Sequence, residues 1–166
     1  MALHETEHWL EDIVIVTAFY GFRRSEVLGL RWQSIDFDNN IISVNHTVTN
    51  GVDENGKRLL SMDDNTKTDA SKRTLPLVPA IKDRLIKRRK LQARYKRLCG
   101  KAYCEDFLPY VFVDEIGCNF SPDRVTYAFP SFLKKHNLPR IRFHDLRHSC
   151  ASLLLNNGVS LKEIQV

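Results

Sequence analysis

Three short stretches set cationic or imidazole side chains beside a helix start or a turn. They are Arg23 and Arg24 in GFRRSE, Lys67 in NTKTDASKRTLPL, and His144, Arg147 and His148 in RFHDLRHS. Each alone has an ordinary reading. Arg23 and Glu26 stand three residues apart, as a surface ion pair does. Lys67 in a polar loop is by default a solubilising lysine. His144 falls where a helix N-cap belongs, and His148 suits a packed core position.

Taken together, the same residues suit attack on a phosphodiester. Charge that builds on the non-bridging oxygens is stabilised by a metal ion or by fixed guanidiniums, whose paired donors match phosphate geometry. The chain shows no carboxylate cluster suited to Mg²⁺, whereas its arginines stand in two separate motifs, so side chains without metal are expected to supply that stabilisation. His144 and His148 also form an HxxxH pair close to the HExxH of zinc hydrolases, with Asp145 in the place of the general base. That alternative needs a third ligand, for which only Glu163 is available downstream, and it sets the Arg147 guanidinium beside a dication.

The elements that must position these groups are legible from periodicity. Trp9, Leu10, Ile13, Val14, Val16 and Phe19 recur at helical spacing and predict a core-facing helix over residues 5–20, stopped at Gly21. Ser25 and EVLGLRW predict a short second helix with Val27, Leu28 and Leu30 inward. SIDF, the turn DNN and IISVNHTVT read as a hairpin. NGVDENGKRLLSMDDN reads as a loop or hairpin tip, and SKRTLPL as a short strand. After Pro79 comes a long basic helix with Ile81, Leu85, Ile86, Leu91, Tyr95 and Leu98 along it. YVFVDEIG reads as a strand and turn. SPDRVTYAFPSFLKKHN predicts a Ser-capped helix burying Val125, Phe129, Phe132 and Leu133 and distorted at Pro130. HDLRHSCASLLLNNG predicts a helix burying Leu146, Ala151, Leu153 and Leu154 and ended at Gly158, after which Ser160 and Glu163 open another through a capping box. The expected fold class is α+β, mostly helical with a small antiparallel sheet, in one domain over residues 1–166.

Composition narrows the partners. With 43% hydrophobic and 27% charged residues, the chain can build its own core. No apolar run approaches the roughly 20 residues of a membrane span, and MALHETEHWLED lacks the pattern of a signal peptide, so a cytoplasmic protein is expected. The four cysteines, Cys99, Cys104, Cys118 and Cys150, lack metal-site spacing and are expected as reduced thiols, with no structural zinc. The net charge of +5 is concentrated. Residues 80–101 hold ten Lys or Arg against Asp83 alone, a net +9 that leaves the rest of the chain at −4. Such a segment is either a footprint for a polyanion or a solvated helix face.

In order and spacing, GFRRSEVLGLRWxxIDF, TKTxxSKRTLPL and HDLRHSCASLLLxxGVSLKEIQ resemble the catalytic domain of tyrosine recombinases, the phage and transposon integrase family, and above all integrases of mobile elements in Gram-positive bacteria. The resemblance spans nearly the whole chain and joins three independent motifs. It implies Arg23 and Arg147 as a clamp on the scissile phosphate, Glu26 as the acid supporting Arg23, Lys67 as donor to the departing 5′ oxygen, and His144 as proton-transfer partner. His148 then packs or orients. Arg24, Lys72, Arg73, Lys87, Arg88 and Arg94 are the expected DNA contacts. Double-stranded DNA is the implied partner, with no cofactor, no metal and no membrane, in the bacterial cytoplasm beside the nucleoid. The parent is expected to assemble as a tetramer on DNA and this chain alone to be a monomer. The family's nucleophile is a tyrosine downstream of HxxR that forms a 3′-phosphotyrosyl link. Here Tyr20, Tyr95, Tyr103, Tyr110 and Tyr127 all precede His144. The expectation is therefore a catalytic core cut before its nucleophile and after a DNA-clamping domain, inactive in cleavage by itself. A non-catalytic DNA-binding module is the remaining alternative.

Overall fold

Helical apolar spacing near the N-terminus becomes α1, His8–Tyr20, in a computed structural model that describes residues 8–64 and 73–148. Leu10, Ile13, Val14 and Val16 are buried as the spacing predicts. Phe19 is not: it is 49% exposed, because the last turn is anchored by its neighbour. The Tyr20 hydroxyl donates to the Pro76 carbonyl (2.9 Å) and accepts from the Val78 amide (3.3 Å), which rotates Phe19 toward solvent. Gly21, at φ 65°, ends the helix with its amide on the Thr17 carbonyl.

Helix α2, Arg24–Leu28, buries Val27 and Leu28 completely. Its C-cap, Gly29, lies against the backbone of the following sheet. A Cβ there would fall 2.5 Å from the His46 carbonyl oxygen and 2.7 Å from Thr47 Cα.

The strands form two antiparallel sheets where one was expected. β1 (Ile35–Asp36) and β2 (Ile41–Val44) are followed by β3 (Thr47–Val52), β4 (Arg58–Asp63) and β5 (Arg73–Pro76). One sheet has the order β1-β2-β5, in register at Ile42–Leu75 and Val44–Arg73; the other is the β3–β4 hairpin, pairing Thr47 with Asp63 and Val52 with Arg58. The run IISVNHTVT is broken at Asn45–His46, where the chain leaves the first sheet for the second. The polar stretch around Asp53–Lys57 is the hairpin tip. Asp53 Oδ1 accepts from the amides of Asn55 and Lys57, and Gly56 takes φ 76°. Leu60 alone in β4 escapes full exposure, so no alternation marked this strand in the sequence.

Helix α3, Pro79–Cys99, buries Ile81, Leu85 and, unexpectedly, Arg88, while Leu98 is 71% exposed. YVFVDEIG forms no regular strand. Val111, Phe112 and Val113 are buried, yet among the described residues their segment makes only the isolated bridges Arg31–Tyr110 and Val113–Asn119. The missing neighbour strand is replaced by a side chain: Arg88 Nε donates to the Val111 carbonyl (3.1 Å) and Nη2 to that of Val113 (2.7 Å). Helix α4, Pro122–Lys135, has Ser121 at its N-cap accepting from the Arg124 amide (3.2 Å). Val125, Phe129 and Leu133 are buried, Phe132 is half-buried, and the helix runs on through the exposed Pro130. Phe129 packs edge-on against Phe143 (5.2 Å), which fixes the start of the last described turn, residues 145–148.

The rest of the last predicted helix, the capping box at Ser160–Glu163, Lys67 and Lys72 lie outside the described residues. Cys99, Cys104 and Cys118 are free thiols. Among the described residues no helix is long and apolar enough to cross a membrane.

Candidate phosphate-gripping cleft

Arg23 is an unusual N-cap, since its side chain accepts no hydrogen bond. The local geometry is instead built from Glu26. The Arg23 amide donates to Glu26 Oε2 (2.8 Å) and the guanidinium to Oε1 (2.8 Å), while the Arg23 carbonyl accepts from the amides of Glu26 and Val27. Half of the Arg23 side chain remains exposed, against 1% of Glu26. Burial pushes the Glu26 carboxyl upward, but hydrogen bonds from Arg73 and from the Arg23 amide outweigh it, and the group sits below the usual carboxylate range.

The same device recurs at the second motif. The Arg142 amide donates to Asp145 Oδ2 (2.9 Å) and its Nη2 to Oδ1 (3.1 Å), holding the turn that begins with His144. Each arm thus opens with an arginine bonded, through backbone and side chain, to a carboxylate three residues on. Sequence reading missed Arg142, although this spacing was its signal.

Between the arms lies a cleft of about 540 Å³, floored by Phe22, Val48 and Phe143 and edged by Arg23, Arg24, Arg142 and His144. Among the described residues its lining contains no carboxylate. Arg24 bonds Thr126 of α4, and Asn50 of β3 donates to Asp123 (2.8 Å), so both walls are tied together. Arg147 is half-buried; its amide donates to the His144 carbonyl (3.2 Å). His144 is exposed, with its ring 5.3 Å from that of His148 in an edge-on arrangement. For the zinc alternative, no group of three potential ligands occurs among the described residues.

The structure divides the expected DNA contacts. Lys87 and Arg94 are exposed on α3, and Arg24 lines the cleft. Arg88 is corrected: with 6% exposure and two buried carbonyls in its grip, it supports the fold and cannot present its charge to DNA. Arg73 is turned inward with 8% of its side chain exposed.

A buried histidine sits at the break between β2 and β3. His46 Nδ1 lies 2.8 Å from Asp64 Oδ1, and Nε2 lies 3.0 Å from Arg31 and 2.8 Å from the Tyr110 hydroxyl. Since a guanidinium only donates, Nε2 accepts and Nδ1–H donates to Asp64, which also pairs with Arg31 (2.9 Å). Burial pushes the imidazole below its ordinary value, against the pull of Asp64. The unfolded chain therefore takes up this proton first. The stability given by the neutral ring is complete above about pH 6.5 and is lost as pH falls through the lower folded-state value, at no more than about 1.4 kcal/mol per pH unit. Denaturant titrations between pH 7.5 and 5.5 are expected to show this loss in the native chain and a flatter profile in His46→Gln.

This α+β architecture is that of a tyrosine recombinase catalytic domain. It superposes on the Tn1549 transposon integrase in complex with circular intermediate DNA at TM-score 0.72, 20% identity, covering 99% of this chain and 56% of that one. It superposes on the lambda integrase catalytic core at TM-score 0.61, 16% identity, covering 94% and 80%. The sequence matches the phage integrase family over residues 4–166, and the chain belongs to that family. A tyrosine recombinase XerC-like protein of Caldanaerobacter subterraneus subsp. tengcongensis is 29% identical over 161 residues; these are 95% of this chain but 41% of that relative, so the chain spans about two fifths of its length.

Proposed function

We propose that this chain is the catalytic core of a site-specific recombinase of mobile DNA, which holds one phosphate of double-stranded DNA in the cleft between its two arginine-led arms. The observation that carries this reading is the convergence of Arg23, Arg24, Arg142 and His144, separated by more than a hundred residues in sequence, on one cleft whose described lining has no carboxylate. Arg23 and Arg147 clamp the scissile phosphate, His144 moves a proton at the reacting oxygens, and Lys67 protonates the departing 5′ oxygen. The basic face of α3, with Lys87 and Arg94, contacts flanking phosphates. The parent enzyme rejoins strands through a phosphotyrosyl link and assembles as a tetramer on DNA, while the 166-residue chain by itself is a monomer.

Affinity of the chain for duplex DNA is expected to fall steeply with salt, because phosphate contacts release counterions. Lys87→Ala and Arg94→Ala should each flatten the log–log salt slope by about one. Affinity independent of salt between low and moderate ionic strength would refute the DNA-binding reading. All five tyrosines precede His144, and the 166-residue chain alone is expected to form no covalent adduct with a nicked suicide substrate. An adduct at any of them overturns the assignment of the nucleophile to a downstream tyrosine.

A further inference from the structure

Arg73 belongs to β5, away from the arginine motif of α2, yet it shares that motif's carboxylate. Its Nη1 donates to Glu26 Oε1 (3.2 Å) and its Nη2 to Oε2 (2.9 Å). Each Glu26 oxygen therefore receives one bond from Arg73 and one from Arg23. The two cations differ in access: 8% of the Arg73 side chain is exposed, against 50% of Arg23. Arg73 also lies over the Phe22 ring (5.4 Å), in the floor of the cleft.

We propose that Arg73 is a positioning residue, which orients Glu26 so that the Arg23 guanidinium faces the cleft as a net positive charge, and that Arg73 itself touches no phosphate. The inference rests on the reading of the cleft as a phosphate site. Its physical basis is charge and geometry. Two guanidiniums about one carboxylate leave one positive charge over, and the more exposed partner is the one that can offer it to an anion. Without Arg73, Glu26 would turn its full charge on Arg23 and neutralise it. The paired donors of a guanidinium hold both carboxylate oxygens at once, which the single ammonium of a lysine cannot do. Arg73 also follows Lys67 by six residues, so one carboxylate links the first arginine motif to the strand that continues the lysine motif.

The test is equilibrium binding of a short DNA duplex to Arg73→Met, Arg23→Met and the double variant across a salt series, with circular dichroism to confirm folding. Arg73→Met is expected to weaken binding about tenfold and to flatten the salt slope by up to about one, because Glu26 then neutralises the Arg23 charge that met the phosphate. Arg23→Met should weaken binding as much or more and flatten the slope by about one. The double variant should bind no more weakly than Arg23→Met, since both act at one place. Additive losses of affinity and slope in the double variant would instead make Arg73 a direct phosphate contact, and native affinity in Arg73→Met would leave it a purely structural residue; either overturns the proposal. Should Arg73→Met not fold, Arg73→Lys, which keeps the ion pair, is expected to bind with intermediate affinity at the native slope, and native affinity would again overturn the proposal. If Arg23→Met changes neither affinity nor slope, the phosphate site itself falls, and this inference with it.

Discussion

Arg88→Met is expected to lower the free energy of unfolding by about 3–5 kcal/mol, the range for removing one partner from a buried charged network. The substitution preserves length and apolar volume but withdraws two donors, leaving the buried carbonyls of Val111 and Val113 without them. It also removes the cation beside Asp12, 3.9 Å away. Burial already raises the Asp12 carboxyl, and the Arg88 charge is the largest influence pulling it back down. Against a typical domain stability of about 5–15 kcal/mol, this loss threatens folding at physiological temperature. Guanidinium titration followed by circular dichroism measures it. A loss below about 1 kcal/mol would mean that other donors reach those carbonyls. Lys87→Met is the control: on the exposed face it should change stability by no more than about 0.5 kcal/mol while weakening DNA binding.

Adjacent residues with opposite tasks show where sequence reading stops. Charge and helical spacing located α3 and marked its basic face, but the phase of the helix relative to the 110–113 segment decides which cation turns inward. Phase of that kind depends on packing. The Val-Phe-Val run reads as a strand because it is apolar and β-branched on either side of Phe112, and burial it has; its Val111 and Val113 carbonyls are met by a guanidinium 23 and 25 residues earlier in the chain, which no local pattern encodes. Arg73 was likewise legible as a cation in a strand but not as the second partner of Glu26. By contrast, α1, α2, α4 and the placing of Arg23 and His144 at the starts of helical turns were legible, because capping, apolar period and motif spacing are local. Phe19 and Leu98 mark the limits of that period at helix ends, where a single anchor such as Tyr20 sets the rotation. β4 was illegible for a simpler reason: a hairpin strand exposed at nearly every residue carries no burial pattern.

The Arg-x-x-acid unit at both arms bears on how the cleft is kept in shape. In each case the carboxylate satisfies the backbone amide at the start of a helical turn and the arginine side chain together, so orientation of the cation is coupled to the turn that carries it. The units differ in depth. Glu26 is buried and shared with Arg73, whereas Arg142 is 85% exposed and Asp145 28%. An exposed ion pair of this kind contributes little to stability. On the proposed function, Arg142 exchanges Asp145 for a phosphate at small energetic loss, and Arg23 is held for the same role by a stiffer frame.

Gly29→Ala is expected to destabilise the fold by about 3 kcal/mol, at the upper end for overpacking, and to weaken DNA binding in the molecules that remain folded. The residue lies at φ −81°, an ordinary conformation, so the penalty does not come from backbone strain. It comes from contact. The added methyl would sit 2.5 Å from the His46 carbonyl oxygen and 2.7 Å from Thr47 Cα, and both are backbone atoms that cannot swing aside as a side-chain tip does. Relief requires α2 and β3 to separate. α2 carries Arg24 and Ser25 with Arg23 at its N-cap, and β3 carries Val48, Thr49 and Asn50, so separation widens the cleft between the arginines and its floor. It also pulls on His46, whose ring is held by Arg31, Asp64 and Tyr110. A denaturant titration and a DNA-binding isotherm on the same preparation separate the two effects. Native stability in Gly29→Ala would show that α2 and β3 slide apart without loss, and the close approach of these elements would then no longer explain the geometry of the cleft.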